Sequence, residues 1–120
     1  MRNKYIPSDH TFAICAYKES PYLAMCITSV LQQNFQSSII MITSTPSEYI
    51  SNIAEKYGIK LYINDGERGI AGDWNFAYKT AGTKLVTITH QDDVYEKDYL
   101  ESIISAFNRQ KNPLIAFTDY

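Results

Sequence analysis

Five short apolar runs, regularly interleaved with four segments of helical periodicity, constrain this chain more than any other feature. Thr11 to Ala16, Ile39 to Thr43, Lys60 to Ile63, Leu85 to Thr89 and Leu114 to Phe117 are strand-length and rich in apolar or β-branched residues. A strand with water on one face alternates polar and apolar residues, whereas a nearly continuous apolar run is covered on both faces. Between the runs, Tyr22 to Gln33 carries Leu23, Cys26, Ile27, Val30 and Leu31 at helical spacing, behind a Ser20-Pro21 start signal. Thr45-Pro46-Ser47-Glu48 opens a second helix, with Tyr49, Ile50, Ile53, Ala54 and Tyr57 on one stripe and Gly58 as its stop. A third runs from about Ile70 to Ala81 and a fourth from about Lys97 to Arg109. Strands alternating with helices predict an α/β fold: a mostly parallel, Rossmann-like sheet inside a three-layer α/β/α sandwich. Such sheets bind ligands beyond the carboxyl ends of their strands, where strand order reverses. The polar residues after each run therefore matter most: Tyr17-Lys18-Glu19, Thr43-Ser44-Thr45, Asn64 to Arg68, and His90 to Asp93.

The last of these segments is the most informative. The strand Val86 to Thr89 ends abruptly in His90-Gln91-Asp92-Asp93. Two adjacent anions are costly to bury and oppose each other's ionisation unless a cation lies between them. A loop that turns both carboxylates to solvent, or to a hard divalent cation shared with substrate phosphates, resolves the conflict. A solvated turn or an acidic cap on the next helix is the plainer alternative.

Composition excludes several function classes. At 120 residues, 45% apolar and 20% charged, the chain fits one globular domain. A net charge of −2 supplies no basic field for nucleic acid. No apolar run is long enough to cross a bilayer, and the N-terminus lacks a secretory pattern. Cys15 falls in a strand pattern and Cys26 in a helix pattern, so both read as buried thiols and the expected compartment is the reducing cytoplasm. His10 falls in a polar leader and carries no signal.

Phe12 to Leu23 followed by Ser29-Val30-Leu31-Gln32-Gln33, then Gly69 to Ala77, then Thr80 to Lys84 leading into Gln91-Asp92-Asp93, and finally Asp98-Tyr99-Leu100, resemble in order and spacing the family 2 glycosyltransferases of GT-A fold. That resemblance implies inverting transfer of a sugar from a nucleotide-diphosphate sugar, a UDP-sugar by expectation, to a glycan or other acceptor hydroxyl, with Mn²⁺ or Mg²⁺ as cofactor. It implies that Tyr17 borders the nucleobase and that Arg68 contacts base or phosphate. Asp92 would lie against the ribose or metal, and Asp93 would ligate the metal. Ala16, Glu19, Thr43, Asp73, Asn75 and Gln91 would line the same nucleotide-sugar site. A homodimer, a place in polysaccharide biosynthesis and work at the inner face of the membrane are further expectations of the resemblance.

The chain departs from the family pattern at two points. The second strand ends in Thr43-Ser44-Thr45-Pro46 where the family has an aspartate that grips uracil, which leaves the base open. His90 stands where the fuller acidic motif begins with aspartate. Family members also carry their catalytic base, an Asp or Glu, well beyond the acidic motif. The resemblance therefore implies a base beyond Tyr120, and no residue of the chain is assigned to that role. The expectation is thus a single domain over residues 1–120 that forms the donor-binding half of a longer, truncated GT-A enzyme and is inactive alone. The alternative is a non-catalytic nucleotide-binding or interaction module of the same fold. A nucleotidyltransferase would want a glycine-rich phosphate loop after the first strand, and Tyr17 to Pro21 contains no glycine.

Overall fold

The computed structural model describes residues 4–67 and 69–109. A single 3₁₀ turn, Pro7–Asp9, leads into β1 (His10–Ala16), followed by α1 (Leu23–Leu31), β2 (Ser38–Thr43), α2 (Glu48–Lys56) and β3 (Lys60–Ile63). Then come α3 (Gly69–Ala81), β4 (Leu85–His90) and α4 (Tyr99–Arg109). The expected fifth strand, Leu114 to Phe117, lies outside the described residues, as does Tyr120.

The four strands form one sheet in the order β3-β2-β1-β4, every pair parallel. β1 is central, and its continuous apolar sequence follows from cover on both faces. Phe12, Ile14 and Ala16 face one way, into clusters shared with Leu23 and Ile27 of α1, Ile50 of α2, and Leu100 and Ile104 of α4. Ala13 and Cys15 face the other way, with Ile42 of β2, Ile88 of β4, and Phe76 and Ala77 of α3. Helices on both faces make the three-layer α/β arrangement read from the sequence. The chain walks outward from β1 through β2 to β3 and then returns to place β4 on the opposite side of β1. That reversal puts the crevice of such a sheet at the carboxyl ends of β1 and β4.

Local start signals were legible to different degrees. α2 opens within the expected Thr45 to Glu48 segment, and Ser47 is its cap, its hydroxyl accepting the Ile50 N–H at 3.2 Å. The start of α1 differs from expectation. The residue before the helix is Tyr22, which makes no side-chain cap, and Ser20 instead accepts the Tyr22 N–H at 3.2 Å. The Tyr49 hydroxyl donates to the Ser20 carbonyl, so that loop is held by α2 rather than by a cap of its own.

His10 also departs from the sequence reading, because it is the first residue of β1 and fully buried. Its Nε2 lies 2.7 Å from Thr87 Oγ1 and its Nδ1 3.1 Å from Ser37 Oγ, with the ring edge-on to Phe12. Burial holds its pKa down at about 4, so near neutrality the ring is uncharged, with one donor and one acceptor nitrogen for two hydroxyl partners.

Candidate active site at the carboxyl ends of β1 and β4

Four strand-end segments converge on one edge of the sheet. After β4 the chain makes a tight turn: Asp93 N–H donates to the His90 carbonyl at 3.0 Å, and Asp93 Oδ2 accepts the His90 N–H at 3.3 Å. Gln91 and Asp92 occupy the corner of this turn, Asp92 exposed and Asp93 half-buried. The turn is seated on α1, where Cys26 Sγ donates to the His90 carbonyl at 3.4 Å. Burial pushes the Cys26 thiol up to about 12, with the charges of Asp93 and Asp92 adding to the effect. Cys15 is likewise raised to about 12 by burial and then by Asp73. Both cysteines are free and, as thiols rather than thiolates, unreactive near neutrality.

Beside the turn, Ala16 ends β1 in the core and Tyr17 emerges with half of its surface exposed. The Tyr17 main chain is bonded to Gln91 in both directions, N–H to Oε1 at 2.8 Å and Nε2–H to carbonyl at 3.0 Å. Lys18 follows in the left-handed region (φ 53°), its N–H donated to Thr45 Oγ1 at 2.7 Å and its ammonium 5.1 Å from the centre of the Tyr17 ring. Glu19 is exposed next to it.

The ends of β2 and β3 are tied together and to α3. Thr43 is buried, with its hydroxyl accepting the Thr45 N–H at 3.0 Å. Ser44 Oγ donates to Asp73 Oδ2 at 3.3 Å, and Asn64 Nδ2 donates to Asp73 Oδ1 at 2.9 Å and to the Glu67 carbonyl at 2.8 Å. Asn64 Oδ1 accepts the Gly66 N–H at 3.2 Å, an Asx turn that folds the chain back over α3. Asp73 thus spends an oxygen on each of two neighbouring strand ends. Asn75 is exposed on α3, and the Trp74 ring lies 5.6 Å from that of His90.

The structure therefore brings Ala16, Tyr17, Gln91, Asp92 and Asp93 to one crevice. Thr43 lies beneath its rim, and Asp73 braces the β2–β3 side. Arg68 lies outside the described residues. So does Tyr120, and with it the region from which the catalytic base was expected; the described residues therefore contain no counterpart of that expectation. Thr45, Asn64 and Trp74 belong to this rim; the first two fall in the strand-end segments picked out from sequence, but none of the three was assigned a role there. Only Asn64 carried a local signal, the Asn64-Asp65-Gly66 turn composition.

No group of three His, Cys, Asp or Glu side chains that would enclose a metal occurs among the described residues. The donor set on the turn is nonetheless of the right kind. Two hard carboxylates on one turn, one of them exposed, fit a small divalent cation that completes its shell with water and substrate phosphate. No helix among the described residues is long and apolar enough to cross a membrane.

Comparison with known proteins agrees with this fold. Residues 11–118 match the family model described as "Glycosyl transferase family 2". Among solved structures, the Staphylococcus aureus protein TarS (residues 1–349) superposes with a TM-score of 0.71 at 18% identity, over 83% of this chain and 32% of its own. A mannosyltransferase from Pyrobaculum calidifontis, solved with GDP-Man and Mn²⁺, gives 0.71 at 17% identity over 88% of this chain and 33% of its own. The chain spans about a third of the length of these two structures. At such identities the likeness concerns the fold. No curated protein sequence matches the chain.

Proposed function

The chain belongs to glycosyl transferase family 2, and on that premise we propose that it forms the nucleotide-sugar site of an inverting glycosyltransferase. The observation that carries the reading is the acidic turn. Asp92 and Asp93 sit at the end of β4, at the strand-order reversal, with Tyr17 held beside them by Gln91. In this reading the nucleobase lies against the exposed Tyr17 ring, and the diphosphate runs toward the turn. Asp93, fixed by its bond to the His90 N–H, presents a preset carboxylate, and exposed Asp92 presents a second. A divalent cation held by these two would neutralise charge developing on the leaving diphosphate. The mannosyltransferase solved with GDP-Man and Mn²⁺ has the same fold and supports a donor of this chemical type.

The donor is proposed to be a UDP-sugar and the acceptor a hydroxyl of a glycan or similar molecule. None of the residues at this crevice is assigned to deprotonate that hydroxyl; the base is proposed to lie outside the donor half, beyond Tyr120. The cytoplasm is the proposed location, the two free thiols being consistent with a reducing compartment.

Titration calorimetry with UDP and with GDP, each with and without Mn²⁺, tests the reading. UDP should bind at least about tenfold more tightly with Mn²⁺ present, a difference of about 1.4 kcal/mol. Asp93→Ala should abolish that gain. Metal-independent binding, or an unchanged gain in Asp93→Ala, refutes the proposal, and a preference for GDP would reassign the base.

A further inference from the structure

Main-chain pairing of β1 with β4 ends with Cys15 opposite His90. Just beyond that rung, where the two strands part to form the crevice, the Gln91 side chain continues the ladder. Its oxygen accepts the Tyr17 N–H at 2.8 Å and its NH₂ donates to the Tyr17 carbonyl at 3.0 Å. Both partners are main-chain groups of fixed polarity, so the orientation of the amide is determined by chemistry. One side chain thus supplies the acceptor and the donor that a further strand residue would supply. The next residue, Lys18, holds a left-handed backbone that a lysine adopts where its surroundings impose it, here with its N–H given to Thr45. The exit of β1 is clamped from both sides, by Gln91 from the β4 turn and by Thr45 from the β2 end.

We infer that Gln91 is a positioning residue for the nucleobase side of the crevice: its amide is committed to the Tyr17 main chain and sets the exposed Tyr17 ring, rather than contacting the nucleotide itself. The inference rests on the nucleotide-sugar reading above. Gln91 also precedes Asp92 directly in the chain, so the same residue joins the loop that would border the base to the turn that would hold the metal. A side chain that touched phosphate or metal would affect every diphosphate ligand equally. A side chain that acts through Tyr17 affects only ligands that carry a base.

The test uses the chain as it is, with UDP and inorganic pyrophosphate as probes, each with Mn²⁺. Gln91→Ala should weaken UDP binding about threefold to tenfold, the value of one or two neutral hydrogen bonds, and leave pyrophosphate within about twofold. In a Tyr17→Ala background, Gln91→Ala should add nothing, because the group it positions is gone. A readout without ligand accompanies these: amide exchange at Tyr17 should accelerate at least about tenfold in Gln91→Ala while the β1–β4 ladder keeps its protection. Equal weakening of both ligands, unchanged UDP affinity, or an additive loss in the Tyr17→Ala background overturns the inference. If the wild-type chain binds neither probe, the donor-site reading fails. Faster Tyr17 exchange in the variant would then mark Gln91 as a structural tie and overturn its role toward a nucleobase.

Discussion

Replacing Gly72 with alanine sets two effects of opposite sign against each other. Glycine within a helix is less favourable than alanine by up to about 1 kcal/mol, so helix propensity alone expects Gly72→Ala to stabilise α3. The surroundings of Gly72 argue the reverse. A methyl group there would overlap the Glu67 carbonyl oxygen and come within 2.7 Å of the carbonyl carbon. These are main-chain atoms, which cannot swing aside as the tip of a side chain can. On its other side the same loop is held by Asn64, which donates to the Glu67 carbonyl, accepts from Gly66 and reaches Asp73. Relief of the clash requires the loop to lift off α3, and the 2.8 Å bond from Asn64 to Glu67 goes with it.

Overpacking of this kind costs about 1–3 kcal/mol and a lost hydrogen bond adds about 1 kcal/mol, against a propensity gain of about 1 kcal/mol. The net expectation is a loss of about 1–3 kcal/mol. For a chain of 120 residues that corresponds to a melting temperature lower by roughly 4–12 °C. Thermal unfolding followed by circular dichroism, with urea titration for the free energy, measures it. A Gly72→Ala protein that melts at or above the wild-type temperature would show that the loop yields freely, and the account of how it is held would be wrong.

Two further outcomes follow from the same structure. Burial lowers the His10 pKa from 6.5 to about 4, so the unfolded chain takes up that proton first; the contribution is complete above pH 6.5 and is lost as pH falls toward 4, about 3 kcal/mol in all. Urea titrations at pH 7.5 and 5.0 should therefore differ by about 2 kcal/mol more in the wild type than in His10→Gln, and equal pH slopes would refute the assignment. Asp73→Ala should lower stability by about 1–2 kcal/mol by removing the acceptor of Ser44 and Asn64, with Asp73→Asn near half of that. An unchanged urea midpoint in Asp73→Ala would mean that its two bonds contribute nothing to folding.

What the sequence revealed and what it hid divide along a physical line. Strand positions were legible because burial on both faces of β1 removes the polar alternation, and the runs are too short for buried helices. The opening of α2 was legible because its start signal is local: Ser47 lies in the Thr45 to Glu48 segment and caps Ile50 only three residues on. The start of α1 was not, because Ser20-Pro21 is a start signal whose outcome depends on Tyr49, 29 residues away. His10 was misread for the same reason: its partners, Ser37 and Thr87, are 27 and 77 residues distant, and a histidine among polar neighbours looks exposed until the sheet is assembled. The acidic turn was visible as a composition change. Its seat on α1 through Cys26, and its link to Tyr17 through Gln91, depend on which strands are neighbours.

The second strand shows how position in the sequence and position in space can part. It ends without a carboxylate, and its hydroxyls are taken up internally: Thr43 by the Thr45 amide, Ser44 by Asp73, and Thr45 by Lys18. The carboxylate nearest this strand end comes instead from α3, and it is already bonded to two strands. Polar groups on the β2–β3 side therefore hold the rim in shape. Those on the β4 turn remain presented, Asp92 exposed and Asp93 half-buried. A site that binds a charged ligand with little rearrangement needs this division, because ligating groups are only as well placed as the groups that hold their loops. Gln91 ties the presented turn to the exit of β1, whose next residue, Lys18, is bonded to Thr45 on the other side.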